Sequence, residues 1–307
     1  MSAGTRIDRA GLWGAVASFV LWGLMPLYWH LLKAVPSLQI VLHRIVWSAL
    51  LVALWLVITQ GGGWWRKVKA RPRAAALLAV TSVLITFNWG LYIWAVNAGH
   101  VIEGSLGYYI NPLVNVVLGV LVLRERLNVA QWVAVGLAAA GVLWLTFALG
   151  QVPWIALGLA LSFAVYGLLR KILAVDAVIG LGVEGAYLFL PALAALVWFE
   201  VTGQGHFLSG WGLGIDLLLI FGGALTALPL IGFAFAVRRV PYTIVGMLQY
   251  ISPTLQLLLG VLVLGEAFPR ERMLGFALIW LGLVVFAVDG WRQSRRRVAP
   301  AATPLEQ

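Results

Sequence analysis

YINPLVNVVLGVLVLRE, residues 109–125, decides the fold, because the chain repeats it as YISPTLQLLLGVLVLGE at residues 250–266. Ten of the 17 aligned residues are identical at an offset of 141. A weaker pair, SFVLWGL from Ser18 and SFAVYGL from Ser162, recurs at an offset of 144. The shared Tyr-Ile-x-Pro and the shared glutamate arise less easily by chance than the apolar Gly-Val-Leu-Val-Leu. The two pairs of strings therefore predict an internal duplication.

The composition predicts that most of the chain lies in lipid. Of the 307 residues, 62% are hydrophobic and only 10% are charged, against about 25% charged in soluble domains. A bilayer core needs roughly 20 apolar residues per helix, and lipid-exposed backbone must satisfy its own hydrogen bonds. We expect ten membrane-spanning helices, at residues 11–32, 38–59, 74–97, 101–123, 129–148, 153–173, 180–199, 213–237, 242–264 and 273–290.

The loop charges predict the orientation of these spans. Of the 21 Lys and Arg residues, 17 lie in one alternate set of loops and ends, three lie in the other set, and Arg44 lies within a span. Positive charge favours the cytoplasmic side, so both termini are expected there. The net charge of +10 then reflects this excess rather than nucleic-acid binding. The absence of cysteine excludes disulfides and thiolate chemistry.

Each repeat holds five spans, and an odd number gives the second repeat the opposite orientation. The fold class is therefore predicted to be an all-α membrane protein with ten helices in two inverted five-helix repeats. Inverted repeats are typical of transporters whose site lies between the halves near the midplane. The predicted segments are a cytoplasmic N-terminus at 1–10, the first repeat at 11–150, the second at 151–290 and a cytoplasmic basic tail at 291–307.

Two polar helix faces occupy equivalent places in the two repeats. The sequence spacing places three polar residues on one face of the fourth span and three on the ninth, and each middle residue precedes a proline, Pro112 or Pro253. They could line a central cavity, or they could join neighbouring helices by hydrogen bonds of about 0.6 kcal/mol each. The six residues are Tyr108, Asn111, Asn115, Gln249, Ser252 and Gln256.

The third span adds a further polar and aromatic group. Asn88 and Tyr92 lie one turn apart, with Trp89 beside them. Such a surface suits a flat organic substrate, which it would hold by stacking and a few hydrogen bonds. Many of the 16 tryptophans could instead be anchors at the membrane surface.

Three charged residues fall within or near the ends of spans. Arg44 lies within the second span, and a charge placed there needs a partner, water or a path to the surface. Glu103, at the start of the fourth span, has similar depth and is the expected partner, either as a gate or substrate anchor or as a structural ion pair. Glu184, near the cytoplasmic start of the seventh span, is either a proton carrier or a solvated side chain that reaches the interface.

The strings GLMPLYWHLL, HRIVWS, NWGLYIWAVNAGHVIEGSLGYYINPLVNVVLG and LQYISPT, which begin at Gly23, His43, Asn88 and Leu248, resemble the RarD-type permeases of the EamA family, in the drug/metabolite transporter superfamily. The resemblance extends from about Gly11 to Asp289. It implies ten helices in two EamA repeats, with both termini inside and a central cavity that opens alternately to each side.

The sequence thus predicts an inner-membrane transporter that exports a drug-like, polar or aromatic metabolite by alternating access. The alternatives are an intramembrane enzyme and a passive channel. Four scattered histidines and the absence of a His-Glu-x-x-His motif argue against an enzyme. We expect no metal and no cofactor. The expected partners are a small-molecule substrate and membrane lipid, with no nucleic acid, in a monomer or weak homodimer.

Overall fold

The structure, a computed structural model, describes residues 8–61, 63, 72–124, 127–173, 175, 177–237, 239–240 and 248–298. Ten helices follow one another in these ranges, the ninth of them ending in a π-helical segment, Leu259–Val263. They are α1 Arg9–Leu31, α2 Ser37–Gln60, α3 Pro72–Asn97, α4 Val101–Leu123, α5 Val129–Leu149, α6 Trp154–Leu173, α7 Ala177–Val201, α8 Leu213–Val237, α9 Ile251–Leu258 and α10 Arg270–Val298.

The described helices overlap all ten predicted spans, and the predicted all-α fold class is confirmed. The ninth span was predicted at 242–264; residues 241–247 lie outside the described residues, and the described helix begins at Ile251. Eight helices are long and apolar enough to cross a membrane, and two shorter apolar segments are Trp154–Arg170 and Ile251–Val263. The last helix continues to Val298, beyond residue 291 where the basic tail was predicted to begin. Residues 1–7, Trp64, Trp65, Glu125 and the tail after Val298 lie outside the described residues.

Local sequence fixes several helix ends. The Asp8 side chain accepts hydrogen bonds from the backbone N–H groups of Ala10 and Gly11, at 2.9 and 3.2 Å, which satisfies two free donors at the start of α1. At the ends of the duplicated strings the backbone turns left-handed at Arg124 and at Gly265, with φ of 56° and 70°. These residues are 141 positions apart, so the repeat extends to backbone conformation.

Packing follows the inverted repeat. The helix α4 packs on α6, and its counterpart α9 packs on α1. Helices five apart in number correspond to one another, α1 to α6 and so on. The contact of α3 with α6 therefore corresponds to that of α8 with α1. The contact of α2 with α8 likewise corresponds to that of α7 with α3. The pairs α2 with α7, α4 with α9 and α5 with α10 relate each helix to its own counterpart. The two halves therefore interleave rather than lie side by side.

Small residues allow these close approaches. A Cβ atom added at Gly107 would lie 2.8 Å from the carbonyl oxygen of Ala156, where α4 crosses α6. One added at Gly223 would lie 2.5 Å from the backbone carbon of Trp47, where α8 crosses α2. Real Cβ atoms do not approach so closely, so both crossings depend on glycine.

The outer surface of the bundle is apolar. On α2, for example, Leu50, Leu54, Trp55 and Ile58 are exposed, while Val52 and Leu56 on the opposite face are buried. Such a surface suits lipid as the surrounding solvent. The polar side chains of the spans are consequently drawn inwards, where the candidate site lies.

Candidate functional site

A buried arginine of α2 contacts residues of three other helices. Arg44 lies at the beginning of the third turn of α2, and only 9% of its surface is exposed. Its Nε donates a 2.8 Å hydrogen bond to Oγ1 of Thr226 on α8. The guanidinium carbon lies 4.0 Å from the ring centroid of Trp89 on α3 and 5.4 Å from that of Trp29 on α1. Four helices thus hold one cation between two indole rings.

Three tyrosines surround this cation. The hydroxyl groups of Tyr28, Tyr92 and Tyr108 lie close enough to interact electrostatically with Arg44. The rings of Tyr92 and Tyr108 meet edge to face at 5.4 Å, and Tyr108 contacts Phe163 on α6 at 6.4 Å. Tyr28 donates a hydrogen bond to the carbonyl of Leu218 on α8. We call Arg44, Trp29, Trp89, Tyr92, Tyr108 and Thr226 the Arg44 cluster.

The predicted ion pair between Arg44 and Glu103 is wrong for this conformation. Arg44 bonds to Thr226, whereas Oε1 of Glu103 accepts a 3.1 Å hydrogen bond from the backbone N–H of Ile155, at the start of α6. The two side chains therefore bond to different helices, Arg44 to α8 and Glu103 to α6. The helix α2 packs on α3, α7 and α8, while α4 packs mainly on α6 and α9.

The two midplane residues of the repeat are bonded across the halves. Asn111 donates to the carbonyl oxygen of Ala160 at 3.1 Å, and Ser252 donates to that of Phe19 at 2.7 Å. Both the donors and the acceptors are 141 residues apart, so the repeat relates the two hydrogen bonds. Both side chains are buried. In this conformation they join helices, which is the second interpretation that the sequence left open.

The remaining members of the two polar faces differ from one another. Asn115 is exposed and donates to Oδ1 of Asn111 at 3.1 Å. Gln256 is buried and donates to the carbonyl of Trp22 at 3.2 Å. Gln249 was placed on the ninth helix by its spacing, but it lies in the turn before Ile251.

The turn at Gln249 involves Pro253, although the equivalent Pro112 leaves α4 unbroken. Pro253 has no N–H with which to bond the carbonyl of Gln249 four residues earlier. The N–H of Ser252 takes that carbonyl instead, three residues away at 3.3 Å. The chain therefore turns more tightly before α9, whereas α4 continues through Pro112 without a break.

The polar and aromatic residues predicted on the third span face two different neighbours. Asn88 is buried and donates to the carbonyl of Leu159 and to Oγ of Ser162 on α6, at 3.0 and 2.9 Å. Trp89 and Tyr92 instead join the Arg44 cluster. Asn88 therefore fixes α3 on α6, and the aromatic residues remain as the side of α3 that faces the cation.

Glu184 does not reach the interface as a solvated side chain, which corrects that interpretation. It is 1% exposed, and its carboxylate accepts hydrogen bonds from Thr81 at 2.6 Å and Tyr166 at 3.3 Å. A nitrogen of Arg170 lies 3.7 Å away. Because α7 is apolar on both sides of Glu184, the side chain turns inwards to these partners on α3 and α6.

The predicted periplasmic end is closed by a carboxylate from the second half. Glu266 accepts hydrogen bonds from the backbone N–H groups of Val101 and Ile102 at 2.6 and 2.9 Å, and so caps the start of α4. Burial raises the pKa of the Glu266 carboxyl, although these two N–H groups, Arg272 and His100 act to lower it. A cavity of about 200 Å³ lies at the same end, beside Glu103 and Trp154.

Some of these residues were missed by sequence reasoning. Trp29, Thr226 and Glu266 were not among the candidate site residues. Trp29 follows Pro26 in an apolar run and gives no local polar signal. Thr226 is a single hydroxyl in α8, whose role depends on which helix it faces. Among the described residues no group of three or more His, Cys, Asp or Glu could hold a metal ion.

Comparisons with known proteins define the class. The model of the EamA-like transporter family matches residues 9–147. RarD of Streptomyces exfoliatus is 47% identical over 97% of this chain and 95% of its own length. An uncharacterized transporter of Pseudomonas aeruginosa is 45% identical over 95% of this chain and 98% of its own length. The chain belongs to the EamA-like transporter family.

Within that family the predicted resemblance to RarD-type permeases is confirmed. A solved crystal structure matches the fold with a TM-score of 0.59 at 21% identity, over 91% of this chain and 97% of the other. The chain is an integral membrane protein and a membrane transporter. Relatives in Pseudomonas aeruginosa and Bacillus subtilis are named as transporters.

Proposed function

We propose that this protein is an alternating-access carrier of the inner membrane, and that it exports a small polar or aromatic molecule through the Arg44 cluster. Both termini face the cytoplasm in this proposal, in agreement with the 17 of 21 basic residues on that side. The interleaved inverted halves supply the two elements that rock around a fixed site.

The contrast between the two parts of α4 carries the proposal. Of the 13 residues from Val101 to Leu113, 11 are buried, but from Val114 to Val122 only Gly119 is buried. The buried part is the one that Glu266 caps. In the other part Asn115 exposes an amide, which is costly against lipid and favourable against water. These observations support a conformation closed towards the periplasm and open towards the cytoplasm.

A disulfide across the closed end tests the cycle. A Cβ atom added at Gly260 would lie 3.6 Å from Cβ of Val101, within the range for disulfides. The chain has no native cysteine, so Val101→Cys with Gly260→Cys forms a defined pair. A third cysteine, Tyr108→Cys, reports access to the Arg44 cluster through its reaction with a membrane-impermeant maleimide in oriented vesicles.

We expect the reduced protein to be labelled at position 108 from both sides of the membrane. Oxidation of the pair should stop labelling from the periplasmic side and leave labelling from the cytoplasmic side. Proteins that carry only one member of the pair serve as matched controls and should not respond to the oxidant. Labelling from the periplasmic side that persists in the cross-linked protein would contradict the proposed gate.

Counterflow separates a carrier from a channel. Proteoliposomes loaded with a ligand identified by thermal stabilisation should take up labelled ligand faster than unloaded vesicles, because a carrier exchanges its substrate. The oxidised disulfide pair should abolish this exchange, and reductant should restore it. Uptake that ignores the internal ligand would indicate a channel.

A further inference from the structure

We propose that the Arg44 cluster binds the carboxylate of an organic monoanion with a flat, aromatic body. This inference rests on the proposed transport function and specifies its substrate class. It is derived from three properties of the cluster: an unneutralised cation, an open guanidinium edge and a surplus of hydrogen-bond donors.

Arg44 has no counter-ion among the residues that the structure describes. Among the described residues no carboxylate lies within 4.0 Å of its nitrogens, and the groups that interact with it electrostatically are tyrosines. A buried cation in a membrane protein is ordinarily paired or faces a pathway. One anionic group on a ligand would supply the missing charge, and one cation neutralises one negative charge.

The geometry leaves one part of the guanidinium available. Trp89 covers a face at 4.0 Å, and Thr226 occupies Nε. The two terminal nitrogens of Arg44 have no hydrogen-bond partner among the described residues, and they form the edge that binds carboxylates through two parallel bonds. A planar carboxylate matches the two parallel donors of this edge.

The neighbouring groups also lack acceptors. In the part of the chain that the structure describes, Nε1 of Trp29 and the hydroxyl of Tyr92 are buried without a partner. The Thr226 hydroxyl already donates to the carbonyl of Gly222 at 2.9 Å. Buried donors without acceptors are uncommon in proteins. A carboxylate accepts only, so it complements this set, whereas an ammonium group would add donors and repel the cation.

The aromatic rings indicate the body of the ligand. Tyr92, Tyr108 and Phe163 form a sequence of edge-to-face contacts that leads from the cation towards α6. Such rings bind flat apolar groups and leave the polar end to specific donors. A carboxylate at Arg44 with a flat ring along Tyr108 uses both features.

Thermal stabilisation of the purified full-length protein tests the inference. The probes are benzoate, phenylacetate and indole-3-acetate, each compared with its own primary amide and with acetate. We expect at least one aromatic acid to raise the melting temperature with increasing concentration, and its amide to bind roughly tenfold or more weakly. This comparison uses the wild-type protein and needs no variant to fold.

Variants locate the effect. Arg44→Gln should abolish stabilisation by the acid, and Arg44→Lys should weaken it, because lysine keeps the charge but lacks the two-nitrogen edge. Arg270→Gln, which removes an exposed arginine at the start of α10, is the matched control and should bind as the wild type does.

Several outcomes would overturn the inference. These are acids that bind no better than their amides, acetate that binds as well as the aromatic acids, no stabilisation by any acid, or unchanged binding by Arg44→Gln. None of these outcomes affects the disulfide experiment on the gate. A protein that alternates but ignores acids would remain a carrier with a different substrate class.

Discussion

Arg44 on α2 and Glu184 on α7 are buried charges at nearly equivalent places of the two repeats. Each lies seven residues after the first residue of its helix, and they are 140 positions apart where the repeat offset is 141. Glu184 has three partners from two other helices. Arg44 has a single hydrogen bond, to Thr226. In our proposal the same place in the fold therefore stabilises the structure in one half and binds a ligand in the other.

The two residues differ in the buried partners that would become unpaired if their side chains were removed. Without Glu184, the hydroxyl of Tyr166 would lose a buried acceptor and Arg170 its nearby carboxylate. Without Arg44, the Thr226 hydroxyl would still donate to Gly222. Breaking a buried charged pair is costly because the partner remains buried and unpaired. Stability and binding should therefore respond in opposite ways at the two residues.

Glu184→Ala should give the largest effect on stability. We expect a loss of about 3 kcal/mol, the lower end of the range for removing one partner of a buried pair. The measurement is the melting temperature of the purified protein, followed by loss of monodisperse protein on gel filtration. Glu184→Gln, which keeps an acceptor for Thr81, is the control and should lose less. Equal melting of the alanine variant and the wild type would remove the contrast with Arg44.

Gly223→Ala should have the second largest effect on stability. The substitution would push apart α2, which carries Arg44, and α8, which carries Thr226. The added methyl group would lie 2.5 Å from backbone of Trp47, so α8 must shift away from α2. Overpacking of this kind costs about 2 kcal/mol. Gly185→Ala, on the α7 side, would meet Cβ of Ala49 at 3.1 Å and should cost less.

Gly136→Ala, with no neighbouring atom within 4 Å, is the control for helix substitution and should leave the melting temperature unchanged or raise it. If Gly223→Ala melted as Gly136→Ala does, the close contact between α2 and α8 would not hold the Arg44 cluster together. The melting temperatures of Gly223→Ala, Gly185→Ala and Gly136→Ala, measured in one detergent, show which substitution destabilises the protein most.

The ten helices and the repeat were predictable because they depend on local sequence. An apolar run long enough to span a bilayer is helical whatever its neighbours are, and the strings at Tyr109 and Tyr250 reveal the duplication directly. The prediction that Asn111 and Ser252 are equivalent follows from the same offset, and their hydrogen bonds to Ala160 and Phe19 agree with it.

The lateral neighbours of each helix were not predictable in the same way. Depth in the membrane can be counted along a span, and this suggested Glu103 as the partner of Arg44. Which helix a side chain faces depends on how the two halves interleave, and that places Thr226 of the second half beside Arg44. For the same reason the sequence left open whether Glu184 is a proton carrier or a solvated side chain, whereas in the structure Thr81 and Tyr166 donate hydrogen bonds to it inside the bundle.

Arg44→Met should have a smaller effect on stability, and in the opposite direction from Glu184→Ala. It removes a buried charge whose insertion costs about 2.5 kcal/mol or more, and it loses cation–π contacts worth about 0.5–2 kcal/mol. We expect the free energy of unfolding of the variant to equal that of the wild type or to exceed it by up to about 1 kcal/mol. A loss as large as that of Glu184→Ala would show that Arg44 has a structural role.

The smallest effect concerns Glu266, a carboxylate outside the spans whose pKa is raised by burial against the start of α4. When this contact opens, the carboxyl meets water and its pKa returns towards the ordinary value of 4.5. The closed state then binds a proton more tightly than the open state, so lowering the pH favours closure. The change is confined to the range between the raised pKa and 4.5.

Labelling of Tyr108→Cys from the periplasmic side should therefore slow as the pH falls through this range. Each rate is divided by that of the same cysteine in unfolded protein at the same pH. Glu266→Gln cannot titrate and should flatten the profile. His100 and Arg272 also face Glu266 and act to lower the pKa of its carboxyl. If Glu266→Gln left the pH profile unchanged, another group would cause the pH response, and Glu266 would not control closure of the periplasmic end.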